Sequence, residues 1–140
     1  MIILDTNVLS ALMRKIPDTA VVNWLDRQAA ESIWITSITL FETRLGLALL
    51  PAGRRRQRLQ AAFSELLLED IENRVLDFDS AAATEAANLA ADRQRAGRPV
   101  DMRDTQIAGI ALARRATIAT RNVRHFSDLE VPVIDPWSTK

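Results

Sequence analysis

Three acids stand where their neighbours predict a buried surface. Asp5 ends the apolar run Met1-Ile2-Ile3-Leu4, which lacks polar alternation, as a strand covered on both faces does. Asp104 precedes Ile107, Ala108, Ala111 and Leu112 by three, four, seven and eight positions, the spacing of a single apolar helix stripe. Glu42 lies four after Ile38, three before Leu45 and seven before Leu49, on or beside a second such stripe. An isolated buried carboxylate costs several kcal/mol, so three brought together call for a cation. All-oxygen ligands select hard divalent ions such as Mg²⁺ or Mn²⁺, which keep several waters and meet substrate phosphates.

Each acid also has a local role open to it. Asp5 can cap the helix that follows, and Thr39-x-x-Glu42 and Asp101-x-x-Asp104 both fit the capping box. Capping explains each acid singly; it does not explain a shared location. Other chemistries are poorly supplied. The chain has no Cys, which excludes disulfides, thiolate metal sites and Cys nucleophiles. Gly46, Gly53, Gly97 and Gly109 form neither a P-loop nor a dinucleotide fingerprint, and there is no G-x-S-x-G elbow. His125 is the single histidine, so a zinc site of paired histidines is excluded, and beside Phe126 it reads more readily as structural than as catalytic. Trp24, Trp34 and Trp137 are scattered and read as packing or interface residues.

The elements that must position the acids follow in chain order. After the first strand, Thr6 and Asn7 open a short helix through Leu9 and Leu12 that ends before Pro17. A second helix, from about Asp18 to Ala30, presents Val21, Val22, Leu25 and Ala29. Ile33 to Thr36 is a second strand. Ser37 and Thr39 offer N-caps for a helix whose apolar face is Ile38, Phe41, Leu45, Ala48 and Leu49, ending before Pro51 and Gly53. A helix from about Arg54 to Leu68 and a strand from Arg74 to Phe78 come next. Asp79 caps an Ala-rich helix from Ser80 to about Ala96, stopped by Gly97 and Pro99, and Asp101 starts another to about Arg115. Thr117 to Thr120 is a fourth strand, and Val131 to Ile134 a short fifth at an edge.

This alternation predicts an α/β fold in one domain over residues 1–140, a central parallel sheet of four to five short strands with helices on both faces. In such sheets the ligand crevice lies beyond the carboxyl ends of the strands, where the following helices begin. Asp5, Glu42 and Asp104 are therefore expected at one rim.

Lys plus Arg and Asp plus Glu number 18 each, so global charge provides no general attraction to nucleic acid or anionic membrane. A basic surface has to be local, as in the cluster Arg54, Arg55, Arg56 and Arg58, which suits a phosphate contact, a partner contact or a solvated helix start. The N-terminus resembles neither a signal peptide nor a membrane span, and the composition suits a reducing cytoplasm.

The opening Ile3-Leu4-Asp5-Thr6-Asn7, the internal Glu42, the helix Asp104-Thr105-Gln106-Ile107-Ala108 and the segment Ala119-Thr120-Arg121-Asn122-Val123-Arg124-His125-Phe126 resemble a PIN-domain toxin of the VapC/FitB type. The resemblance runs the length of the chain to Pro136-Trp137. It implies a Mg²⁺- or Mn²⁺-dependent ribonuclease of a type II toxin–antitoxin system, with Asp5, Glu42 and Asp104 as catalytic metal ligands. Asn122 falls where many relatives carry a fourth acid, which leaves one charge fewer and puts a second metal ion in question. Thr6 and Thr120 are implied as hydroxyls ordering water, and Asp101 as a supporting residue or simple N-cap. The resemblance further implies an RNA substrate, a homodimer, and a small cognate antitoxin in a hetero-oligomer, with the apolar helix faces on either side of Pro51 as its docking surface.

Two other classes remain consistent with an acid after the first strand. One is a phosphoryl-transfer protein forming an acyl phosphate on Asp5; Asn7 argues against the dehalogenase-type phosphatases, which need an acid there, and leaves a receiver domain. The other is a PIN-fold binding module without catalysis.

Overall fold

The computed structural model describes residues 1–138. Strand β1 (Ile2–Leu4) leads into α1 (Thr6–Met13) and α2 (Thr19–Asp26). Then come β2 (Ile33–Thr36), α3 (Ser37–Leu49), α4 (Arg54–Glu65) with a π-turn over Leu66–Asp70, and β3 (Val75–Leu76). The long α5 (Ser80–Arg95) and α6 (Met102–Arg114) precede β4 (Thr117–Ala119), a 3₁₀ turn over Val123–Phe126, and β5 (Val133–Ile134). The five strands pair in parallel in the order β3-β2-β1-β4-β5. A receiver-type sheet runs 2-1-3-4-5 instead, so the topology removes that alternative.

Alternation along each strand divides the core in two. Leu4, Ile33, Ile35 and Ala119 pack with α1 to α4. Ile3, Leu76 and Ile118 face α5 and α6. The helix pair α5 and α6 packs closely because Gly109 has no Cβ: one built there would lie 2.5 Å from the Ala82 carbonyl and 2.7 Å from Ala86 Cβ.

Several expected boundaries move. The second helix stops at Asp26 and does not reach Ala30; Ala29 is exposed and a separate 3₁₀ turn covers Ala30–Ser32. The third strand is Val75–Leu76 alone, and the fourth helix passes into the π-turn at Leu66. The cap of α3 is Thr36, whose hydroxyl accepts from the Thr39 N–H, in place of Ser37 or Thr39.

The larger correction concerns which side of α3 is buried. Phe41, Leu45 and Leu49 were expected inside, but they are exposed, Leu49 by 75 %. The buried side instead carries Thr39 and Leu47, with Leu40 and Leu50 packed against the core. The helix has apolar residues on two sides, and only the sheet decides which one is covered.

Candidate active site

The first and fourth strands place the site's centre. Leu4 pairs with Ala119, and the ladder continues one residue further, with the Asp5 N–H donating to the Ala119 carbonyl at 2.9 Å and the Thr120 N–H to Ile134 at 2.9 Å. Asp5 and Thr120 thus stand side by side just beyond the strand ends, where the connections from β1 and β4 diverge to opposite faces. That is the switch point at which open α/β sheets form their crevice.

Asp5 is 5 % exposed. One carboxylate oxygen accepts from the Thr6 N–H at 2.8 Å, so the capping role is realised. The other accepts from Thr120 Oγ1 at 2.7 Å, with Asn7 Nδ2 at 3.4 Å. Burial pushes the Asp5 carboxyl above its ordinary range; the Thr120 and Thr6 hydrogen bonds oppose this, and the charges of Asp104 and Glu42 add to the upward push. The three carboxylates are thus near enough to repel one another.

Glu42 reaches the crevice from α3, where Oε1 accepts from Thr6 Oγ1 at 3.1 Å and Oε2 lies 3.3 Å from Arg103 Nη1. Its helix cap is Thr36, so the capping-box explanation of Glu42 does not apply. In α6, Asp101 Oδ1 accepts the Asp104 N–H at 2.9 Å as an N-cap, while the Asp104 side chain turns to His125 Nδ1 at 2.7 Å. Asp101 itself is exposed, and its hydrogen bond to Asp104 is to the backbone N–H and not to the carboxylate. His125, expected to be structural, is an exposed partner of a candidate acid. Asn122 is exposed beside them and donates its backbone N–H to Thr120 Oγ1 at 3.0 Å.

A cavity of about 380 Å³ opens beside Thr6 and Glu42, and another of about 290 Å³ beside Asp101, Asp104 and His125. Among the described residues no three Asp, Glu or His side chains close around a single point. What the acids offer is oxygen donors along one seam, a set that suits a hard ion retaining most of its own waters.

One arrangement that supports the candidate site has no counterpart among the expectations from sequence. Arg93 of α5, 5 % exposed, holds both oxygens of Asp128 at 2.9 Å, with Thr105 Oγ1 at 3.2 Å and the His125 carbonyl at 2.7 Å. It ties α5, α6 and the His125 turn together, and so fixes the segment that presents His125 to Asp104. The available signal was the stripe Ala82, Ala86, Leu89, Arg93, in which a cation occupies an apolar position.

The PIN-domain family model matches residues 2–131. Plasmid stability protein StbB of Pseudomonas syringae pv. tomato is 42 % identical over 98 % of this chain and 99 % of its own. VapC ribonuclease Y4jK of Sinorhizobium fredii is 39 % identical over 98 % of both chains, and toxin FitB of Neisseria gonorrhoeae 35 % identical over 98 % of this chain and 99 % of its own. A solved structure of FitAB bound to an IR36 DNA fragment superposes with a TM-score of 0.89 at 34 % identity, covering 100 % of this chain and 98 % of that one. Matched over nearly its whole length in both sequence and backbone, the chain belongs to the PIN-domain family, in the group of the VapC and FitB toxins.

Proposed function

We propose that this chain is a Mg²⁺- or Mn²⁺-dependent endoribonuclease, the toxin of a toxin–antitoxin pair, hydrolysing RNA phosphodiesters at the rim formed by Asp5, Glu42 and Asp104. The observation that carries this is the charge coupling at Asp5: a buried carboxyl next to two further acids is costly to the fold unless a cation is used there. The carboxylates of Asp5, Glu42 and Asp104 would hold the ion. What Mg²⁺ or Mn²⁺ supplies when bound is Lewis-acid stabilisation of charge on a phosphodiester oxygen.

The chain's own residues prepare the acids for this role. The hydrogen bonds from Thr120 and the Thr6 N–H favour the ionised form of Asp5 and oppose the effect of its burial. The Thr6 hydroxyl aims Glu42, and His125 orients Asp104. Asn122 stands at the edge of this group with a neutral side chain, which favours one strongly held ion over two.

The relative named VapC ribonuclease supports the ribonuclease part of this reading, and the one named toxin FitB the toxin part. The exposed Phe41, Leu45 and Leu49 of α3 form an uncovered apolar strip suited to protein contact, consistent with a homodimer and an antitoxin docked near Pro51. No helix is long and apolar enough to cross a membrane among the described residues.

The test is cleavage of an RNA panel by purified protein with Mn²⁺, Mg²⁺ or chelator. Wild type should cut only with metal, and Asp5→Asn, Glu42→Gln and Asp104→Asn should each abolish cutting, with combined variants no worse than single ones. Near-normal cleavage by a folded Asp104→Asn protein would sink the assignment.

A further inference from the structure

An RNA strand brings phosphates to a crevice already lined by Asp5, Glu42 and Asp104, and the chain's balanced charge offers no general attraction to offset the repulsion. Some local cation has to hold the strand. Arg14, Arg55 and Arg124 line the cavities beside the acids and form no ion pair among the described residues, while Arg103 is committed to Glu42 and Arg98 and the buried Arg93 to Asp128. Arg121 is likewise uncommitted. It follows Thr120 directly, its backbone N–H donates to Asn7 Oδ1 at 3.2 Å, and its guanidinium forms no ion pair among the described residues.

Its guanidinium is nevertheless held in place. The Arg121 Cζ lies 4.8 Å from the centre of the Trp137 ring. That ring packs against the core on the α1 to α4 face, and its Nε1–H donates to Asp18 Oδ2, the N-cap of α2, at 3.0 Å. Stacking on a ring occupies the face of a guanidinium and leaves its in-plane N–H donors free, the geometry that grips phosphate oxygens in a fork.

Building on the ribonuclease reading above, we infer that Arg121, stacked on Trp137, binds a backbone phosphate of single-stranded RNA next to the bond to be cut. Arg121 is then a binding residue, and Trp137 and Asp18 are positioning residues acting through it. Phosphate recognition carries no base information, so Arg121 sets how tightly and in what register the strand lies, while base choice is made elsewhere.

The test measures binding of a short single-stranded oligoribonucleotide to full-length Asp5→Asn protein over a range of KCl, at fixed divalent ion. Loss of one phosphate contact should flatten the slope of log affinity against log salt by about 0.7 and weaken binding roughly ten-fold at low salt. Arg121→Ala in that background should show both, whereas Arg95→Ala, on an arginine paired within α5, should show neither. Trp137→Leu should weaken binding in the same direction, and Trp137→Phe, which restores a ring face, should recover most of it. In the cleavage-competent protein, Arg121→Ala should raise KM far more than it lowers kcat. An unchanged salt slope in Arg121→Ala, with wild-type RNA binding intact, overturns the assignment alone. If the Asp5→Asn protein binds no RNA even at low salt and wild type cuts none, the ribonuclease reading falls and this inference falls with it.

Discussion

Thr120 Oγ1 donates a 2.7 Å hydrogen bond to Asp5 Oδ2, joining residues that are 115 apart in sequence and adjacent at the end of the β1–β4 ladder. Burial raises the Asp5 pKa and this bond opposes it, so Thr120 favours the charged form of the most deeply placed acid. Thr120→Val should therefore shift the acid limb of the pH–activity profile upward, with cleavage recovered in more alkaline buffer. Thr120→Ser should behave like wild type. An acid limb that does not move in Thr120→Val would separate Thr120 from Asp5 ionisation.

Asp5 should also be a burden on the fold without metal. Its folded pKa lies above the ordinary 3.8, so ionised Asp5 destabilises the native state at neutral pH. The penalty is absent below the unfolded pKa, grows as pH rises through the folded value, and stays constant beyond it. Asp5→Asn, which retains a capping side chain, should melt above wild type at pH 7 in chelator, and the two curves should converge below about pH 4. Mn²⁺ at one hundred times its Kd should stabilise wild type by about 2.7 kcal/mol and Asp5→Asn by much less. Parallel melting curves with and without Mn²⁺ would mean that Asp5 is a helix cap alone.

The Arg93–Asp128 pair predicts the opposite pH response. Hydrogen bonding from Arg93 holds the Asp128 carboxyl below its ordinary range. Its stabilising contribution is present above pH 3.8 and is lost as pH falls through the lower folded value. Asp128→Asn, which leaves the buried Arg93 poorly paired, should cost roughly 2 kcal/mol at pH 7, with the gap to wild type closing in acid. Calorimetric melting at several pH values would show a constant gap if the pair were neutral to stability.

Thr43 Oγ1 is buried without a hydrogen-bond partner among the described residues. An unsatisfied hydroxyl costs about 1 kcal/mol or more, so Thr43→Val, similar in shape, should raise the melting temperature. A lower melting temperature would show that the hydroxyl is satisfied in solution.

Residues close together in the chain carried much of the fold. The unbroken apolar run before Asp5, the punctuation by Pro51, Gly97 and Pro99, and the caps Asp79 and Asp101 are local preferences, and they marked β1, the ends of α3 and α5, and the starts of α5 and α6. Gly97, at φ +70°, takes the left-handed turn that its place after α5 demands. The rule that helices in parallel sheets begin at the strand ends is what gives Asp5, Glu42 and Asp104 a common rim in the sequence pattern.

Tertiary structure decided what local preference leaves degenerate. In α3, Leu40, Leu47 and Leu50 compete with Phe41, Leu45 and Leu49 for the inner side, and periodicity measures the spacing of a stripe without its direction. Glu42 reached the crevice although the stripe assigned to it faces outward, because Thr6 and Thr39 line the side that the sheet covers. The hydrogen bonds that hold the acids, Thr120 to Asp5, His125 to Asp104 and Arg103 to Glu42, join residues 115, 21 and 61 positions apart. Arg93 and Asp128 meet over 35 residues, and Arg121 meets its ring only because β5 ends beside β4. Side-chain pairing at such separations depends on strand order and register, which are properties of the packed sheet and have no counterpart in the pattern of any one segment.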